Sequence, residues 1–525
     1  MKGDVLVVAL PFDPGTLYPV GGTYDYSAMI RDLVQSGMMR RTWSQGTLGY
    51  APDLASACTP SDDLTTLTCT LRDGVRWGDG TPLTSADVAF TWSLLRDPRL
   101  GSPLAQEAER VHAVDTPDDK TVVLHYLTPQ NPLWIDEIAT VGVLPEHVLK
   151  DVDPGQLRAA VPPRIPMASG PFAVQNWDPG ELLVLGSNKR ALAGTQPLLD
   201  NVVYRVIPDY ATRVQQLEQG SVDFVTGLDV RDAARLQGNR NLTVLRQSAA
   251  TMRYVGYDLD DPRFSDPRVR RALTLGVDRE RLLRDTLTEQ GTVYGRYCIG
   301  TISPSLSDWF ASDVVPLPYD PSQAIRLLEQ AGWRDTDKDG VRSRRAISLE
   351  FHLLVQAGSD PLKELATQLQ QYWAPMGVKV DFEPVDAHTF ATRVRQGHFD
   401  AFLWGFLADP SADPSYIWAS DGPYNWFGYH SRVVDGLLQQ ARATSDVAET
   451  QKLVKRVQQV VYSDQPVTFL YWQDSVAVVD RRFQGAHATP WSLFDDLAEW
   501  YVPVAEQKYR GVSPDATAPP GPAAP

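Results

Sequence analysis

The sequence predicts an α/β protein with two lobes of like construction, and three observations carry that expectation. At 525 residues the chain is too long for one hydrophobic core, and ordinary domain sizes divide it into roughly two to four parts. Apolar residues make up 43% and charged residues only 22%, so the chain can bury those cores and is not a disordered polymer. The third observation is a strand–helix–strand pattern that occurs twice.

In the first copy, residues 202–207 read as a strand, Asp209 as a helix cap, 211–219 as a helix stopped by Gly220, and 222–225 as a second strand. The second copy runs through a strand at 378–382, a cap at Asp386, a helix at 389–396, Gly397 and a strand at 399–406. Both close with a glycine, two residues, then an aspartate and an apolar residue: Gly220 with Asp223-Phe224, and Gly397 with Asp400-Ala401. Strands joined through a helix imply parallel pairing, and one such unit in each lobe implies two α/β lobes.

Other helices announce their ends. Thr84 with Asp87 forms a capping box ahead of Val88, Trp92 and Leu95 on one face. Asp266-Pro267 and Asp320-Pro321 each place a cap before a proline at the first helical position, and the second of these helices stops at Gly332. A further helix carries Leu362, Leu365, Ala366, Leu369, Tyr372 and Trp373. The stretch 5–10 ends at Pro11 and reads as a buried first strand. The last fifteen residues, 511–525, are rich in Pro and Ala without periodicity and read as a disordered tail.

A formal charge of −16 argues against a nucleic-acid partner, since phosphate binding needs concentrated Lys and Arg. No run of 18 apolar residues offers a membrane span. The N-terminus lacks the length and the small-residue cleavage site of a secretory signal. That leaves either a cytoplasmic protein or an exported one whose signal is absent from this sequence. Of three cysteines, Cys58 and Cys69 flank a polar, turn-like stretch and can face each other across a hairpin. They form either a disulfide, which implies an oxidising compartment, or two free thiols. Cys298 has no obvious partner.

No catalytic motif stands out: no nucleophile elbow, zinc-protease helix, phosphate loop or dinucleotide fingerprint is present. No cofactor is expected, with one weak exception. Asp335, Asp337, Asp339 and Gly340 form the first half of a calcium loop, and Ser343 falls at its ninth position. Ala346 stands where the bidentate glutamate belongs, and Arg342, Arg344 and Arg345 oppose a cation, so a solvated turn competes with a weak calcium site.

The aromatic residues point more firmly to a site. Trp404, Phe406, Tyr416, Trp418, Tyr424, Trp426 and Phe427 crowd one stretch, interleaved with Asp409, Asp413 and Asp421. Glycines and prolines make the stretch loop-like, which suits a small ligand with apolar parts and a cationic end. A packed irregular loop is the competing reading.

Residues 71–92, LRDGVRWGDGTPLTSADVAFTW, resemble the signature of family 5 of the extracytoplasmic solute-binding proteins, receptors of ABC importers for dipeptides, oligopeptides and nickel. Further blocks resemble the same family in the same order: 6–17, 170–180, 254–279, 319–333, and 396–414 (QGHFDAFLWGFLADPSADP). The resemblance implies a type II periplasmic-binding-protein fold, in which two lobes close over ligand by a hinge and an extra domain is inserted. Here lobe I would comprise 1–50, 168–250 and 485–510, the inserted domain 51–167, and lobe II 255–484. In peptide-binding members an acid after the strand of the last block pairs with the ligand's α-ammonium, and Asp409 occupies that position. One extra residue then precedes Asp413-Pro414, and Leu403 stands where some members carry an arginine for the ligand carboxylate.

The resemblance implies binding without chemistry, by an extracytoplasmic monomer, periplasmic or anchored as a cell-surface lipoprotein. It would deliver peptide to a membrane permease with its ATPase. Trp404, Phe406, Asp409, Tyr416, Trp418 and Trp426 are the candidate ligand contacts. An oligosaccharide receptor, a nickel-chelate receptor and, from another class, a hydrolase are the rival readings.

Overall fold

The computed structural model describes residues 3–18, 26–44, 47–102, 104–158, 167–190, 196–357, 360–489, 492–494 and 496–509. The tail expected at 511–525 lies outside the described residues. The chain divides into two compact units, Met1–Gln247 with Ser475–Pro525, and Ser248–Asp474. Both crossings fall inside long strands, Leu242–Tyr257 and Val467–Asp480, and not in loops. The second unit overlaps most of the 255–484 that the resemblance implies for lobe II.

In the first unit the strand Val5–Leu10 lies between Asn201–Val206 and Phe224–Thr226, parallel to both. All six of its residues are buried, as an apolar strand covered on both faces requires. Leu6, Val8 and Leu10 join one hydrophobic cluster and Val5, Val7 and Ala9 another, because alternate side chains point to opposite faces. The helix Tyr210–Glu218 connects the flanking strands, and Asp209 caps it by accepting the Thr212 N–H at 2.8 Å.

Residues from the 51–167 stretch build an antiparallel sheet, Ala55–Pro60, Thr66–Leu71, Thr121–Tyr126 and Val111–Asp115, over a core to which Tyr18 and Met38 also contribute. The helix Ser85–Arg96 buries Val88, Trp92 and Leu95 in that core, and Thr84 donates its N–H to Asp87 at 2.8 Å. This stretch belongs to the first compact unit. Cys58 and Cys69 stand opposite each other on neighbouring strands and are joined by a disulfide, with Cα atoms 4.1 Å apart. Cys298 is a buried free thiol whose pKa burial pushes up to about 12.

The second unit repeats the plan of the first. The strand Glu350–Gln356 lies between Lys379–Val385 and Ala401–Leu407, parallel to both, and the helix Ala387–Arg395 connects the flanking strands. Asp386 caps that helix through the N–H groups of His388 and Thr389 at 3.0 Å. Both strand–helix–strand units thus straddle a third parallel strand. The Leu242–Tyr257 strand extends this sheet, antiparallel to Ala401–Leu407, with Thr251 opposite Leu407 and Tyr257 opposite Ala401. Among the described residues no helix is long and apolar enough to cross a membrane.

The closing aspartate of each repeat has a defined job. Asp223 accepts the N–H of Val7, on the straddled strand, at 3.0 Å and the Arg482 guanidinium at 2.7 Å. Asp400 accepts the N–H of His352, again on the straddled strand, at 2.9 Å and the Arg263 guanidinium at 2.8 Å.

Candidate functional site

The expected aromatic residues all belong to the second unit, on the strand Ala401–Leu407 and the loops that follow it. Strand alternation sends Phe402, Trp404 and Phe406 to one face. Phe402 is fully buried there beside Met252 and Tyr254, whereas Trp404 and Phe406, nearer the strand's end, are half-buried. Trp404 stacks on Phe390 of the neighbouring helix, with ring centroids 4.7 Å apart and planes 14° from parallel.

Tyr424 gathers the others. Its ring meets Phe406 edge-on at 6.0 Å, Trp426 edge-on at 5.4 Å and Tyr416 at 6.4 Å. The result is one connected, half-buried aromatic face. The loop beneath is fixed by polar bonds. Asn425 donates to the carbonyls of Ala419 and Tyr429 at 3.0 and 2.7 Å and accepts the Tyr429 N–H at 2.9 Å. Ser420 bonds Asp435 through both its N–H and its hydroxyl, at 2.9 and 2.7 Å. A Cβ on Gly422 would stand 2.7 Å from the carbonyl oxygens of Ser415 and Tyr416, so only glycine fits there.

Trp418 is the correction. It is 1% exposed, packs against Phe427, Tyr429 and Phe469, and donates its indole N–H to Thr301 at 2.9 Å. The short helix Ser415–Trp418 turns it inward while Tyr416, two residues earlier, faces the other way. Trp418 belongs to the core, Phe406, Tyr416, Tyr424 and Trp426 form the connected face, and Trp404 stands on the same side of the strand as Phe406, stacked on Phe390.

Asp409 is half-buried two residues past the strand. Its carboxylate accepts the N–H and hydroxyl of Ser411 at 2.8 and 2.7 Å and the N–H of Asp413 at 3.3 Å, a side-chain-stabilised turn that fixes its direction. Asp413 is 4% exposed and accepts the Ser415 N–H at 2.8 Å, a structural use of the second acid. Tyr424, in the aromatic stretch but not among the candidate contacts, is the hub of the face, and Arg253, unmarked by any motif, faces Gly405 across the sheet. A basic residue inside the strand pattern TMRYVGY was the available signal.

The Asp335, Asp337 and Asp339 carboxylates come within 4.8 Å of one another, all exposed. Asp335 already accepts the Lys338 and Gly340 N–H groups at 2.8 and 3.3 Å, and Asp339 accepts that of Val341 at 2.8 Å. Those are the bonds of a tight turn. In the first unit, a cavity of about 280 Å³ is lined by Asp32, Arg40, Arg41, Asp53 and Phe494, on different elements from the aromatic face.

The model of the family described as bacterial extracellular solute-binding proteins, family 5, matches residues 49–428. The oligopeptide-binding protein AppA of Bacillus subtilis is 25% identical over 512 residues, covering 95% of this chain and 92% of AppA. The solved structure of that AppA with a nonapeptide superposes with a TM-score of 0.82 at 24% identity, covering 96% of this chain and 99% of the other. NikZ of Campylobacter jejuni, solved with Ni(L-His), gives a TM-score of 0.79 at 24% identity, with coverages of 95% and 100%.

Proposed function

The chain belongs to family 5 of the bacterial extracellular solute-binding proteins, and from that premise we propose that it captures peptides as the receptor of an ABC importer. The observation that carries the reading is the connected aromatic face on rigid loops at the end of the Ala401–Leu407 strand. Rings of this kind offer large contact area with little conformational entropy to lose, and they accept varied side chains. The likeness to an oligopeptide-binding protein along nearly the whole chain supports the same ligand class.

A peptide would lie extended, its main chain bonded as an added strand and its side chains against the rings. Asp409 would take the ligand's α-ammonium, its carboxylate already oriented by Ser411. Nothing in this mechanism transforms the ligand. Liganded protein would dock on a membrane permease coupled to an ATPase, as a monomer outside the cytoplasm, periplasmic or lipid-anchored.

Nickel chelate is the second reading, favoured by the likeness to NikZ. No histidine lies between Tyr416 and Phe427 to ligate it, which favours peptide. Thermal-shift screening with peptides, cello-oligosaccharides and nickel–histidine separates the readings. Peptides should raise the melting temperature; a rise with sugar or chelate alone sinks the proposal. Asp409→Asn should weaken peptides with a free amino terminus by about 10-fold or more while sparing N-acetylated ones, since a charge-assisted bond is lost. Equal losses would remove the role assigned to Asp409.

A further inference from the structure

Arg253 is a cation without a counter-ion. Among the described residues its guanidinium makes no ion pair and no hydrogen bond, although it carries five donors. Among the described residues no acid acts on it, in a chain that holds 65 acidic side chains against 49 basic ones. The one titratable neighbour that acts on it is the buried phenol of Tyr471. Burial depresses the guanidinium below the usual arginine range, and Tyr471 offsets that only in part, the mark of a charge partly stripped of water. Arg253 is half-buried, and a charge drawn partly out of water is ordinarily paired, so an unpaired one needs a reason.

Its position supplies one. Arg253 stands opposite Gly405 in the antiparallel pair, two places before the end of the Ala401–Leu407 strand. The guanidinium fills the space that a Cβ at residue 405 would take, so Gly405 is what lets the side chain lie across the sheet there. Leu407, 42% exposed and opposite Thr251, lies next along the same face. Open α/β sheets bind ligands at the carboxyl ends of their parallel strands, and Ala401–Leu407 runs parallel to Glu350–Gln356 with its carboxyl end here. Alternation places Arg253 on the face opposite Trp404 and Phe406, so the two features serve different parts of one ligand passing the strand end.

We infer that Arg253 binds a carboxylate of the ligand, completing in the bound state the ion pair that the free protein lacks. The inference rests on the peptide reading for its ligand. The carboxylate is either the peptide's C-terminus or an acidic side chain, and the planar fork of the guanidinium suits both.

The test measures binding to wild type and to Arg253→Met, using alanine–phenylalanine peptides of two to nine residues as free acids and as C-terminal amides. A matched pair containing Glu or Gln forms a second arm. Amidation should weaken wild-type binding by about 10- to 100-fold, the range of one charge-assisted bond, and Arg253→Met should bind both forms alike. Should the Glu-to-Gln change carry that loss instead, the carboxylate is a side chain and the inference stands. Arg253→Lys, which keeps the charge without the fork, should recover part of the affinity.

Ligand-free Arg253→Met should melt no lower than wild type, because the guanidinium has no structural partner. A lower melting temperature overturns the inference, as does a peptide that binds Arg253→Met and wild type equally. If no peptide binds either protein, the peptide reading falls. Succinate and citrate then decide Arg253: stabilisation of wild type but not of Arg253→Met supports it, and no stabilisation overturns it.

Discussion

Asp223 in the first unit and Asp400 in the second do the same work in different surroundings. Each stands one residue before its strand pairs with the straddled strand, Phe224 opposite Val8 and Ala401 opposite Leu353, and each accepts the N–H of the residue before that partner. Each holds an arginine that also grips an aspartate two residues before it, Arg482 with Asp480 and Arg263 with Asp261. Even the backbones agree, since Asp480 donates to the Asp223 carbonyl at 2.8 Å and Asp258 to that of Asp400 at 3.0 Å. What differs is water. The Asp223 and Arg482 side chains are 0% and 5% exposed, those of Asp400 and Arg263 29% and 16%. The same device is a sealed rivet in one unit and a wetted one in the other, so its energetic weight is set by burial and not by geometry.

The comparison is most easily broken at Asp223. Asp223→Ala takes from the buried Arg482 its shortest ion pair, with Asp480 and Asp4 still beside it, and leaves the buried Val7 N–H unpaired, so it should destabilise the protein by about 2–4 kcal/mol in urea unfolding. At Asp400, Arg263 keeps Asp261 and reaches water, so Asp400→Ala should cost only about 1–2 kcal/mol, chiefly the His352 N–H left unpaired. Equal losses at the two sites would show that burial does not set the difference.

How much of this was legible depended on distance along the chain. The Gly-x-x-Asp closings at Gly220 and Gly397 were visible because turn and strand start are local. So were the caps at Asp209 and Asp386. The arginines that complete each junction were not, since Arg482 lies 259 residues from Asp223 and Arg263 lies 137 from Asp400. The site divides in the same way. An aromatic loop was plain from composition, but Trp418 and Trp426 look alike in sequence. Only tertiary packing assigns one to Thr301 and the core and the other to the face. Trp418→Ala should therefore cost stability, about 3–5 kcal/mol for emptying a core indole site, with Trp426→Ala costing well under half of that and acting instead on ligand affinity. Arg253 was hidden because what matters about it is the lack of a partner, and that is a property of everything around it.

The smallest effect gives the sharpest form of the comparison, because it is one of sign. At Asp223 burial outweighs the pull of Arg482 and pushes the carboxyl above its usual range. At Asp400 burial acts in the same direction, but the His352 N–H and Arg263 outweigh it and hold the carboxyl below that range. A folded value below the unfolded one means that folding releases a proton, so the Asp400 contribution is full above about pH 3.9 and fades as pH falls through the folded value. A folded value above the unfolded one reverses this, and the contribution of Asp223 grows as pH falls through its raised value. Urea unfolding from pH 7 down to about pH 3 should show the gap between wild type and Asp400→Asn closing while that for Asp223→Asn widens. Two gaps that close together would mean that both carboxylates titrate as exposed groups do, and the distinction between sealed and wetted junctions would fall.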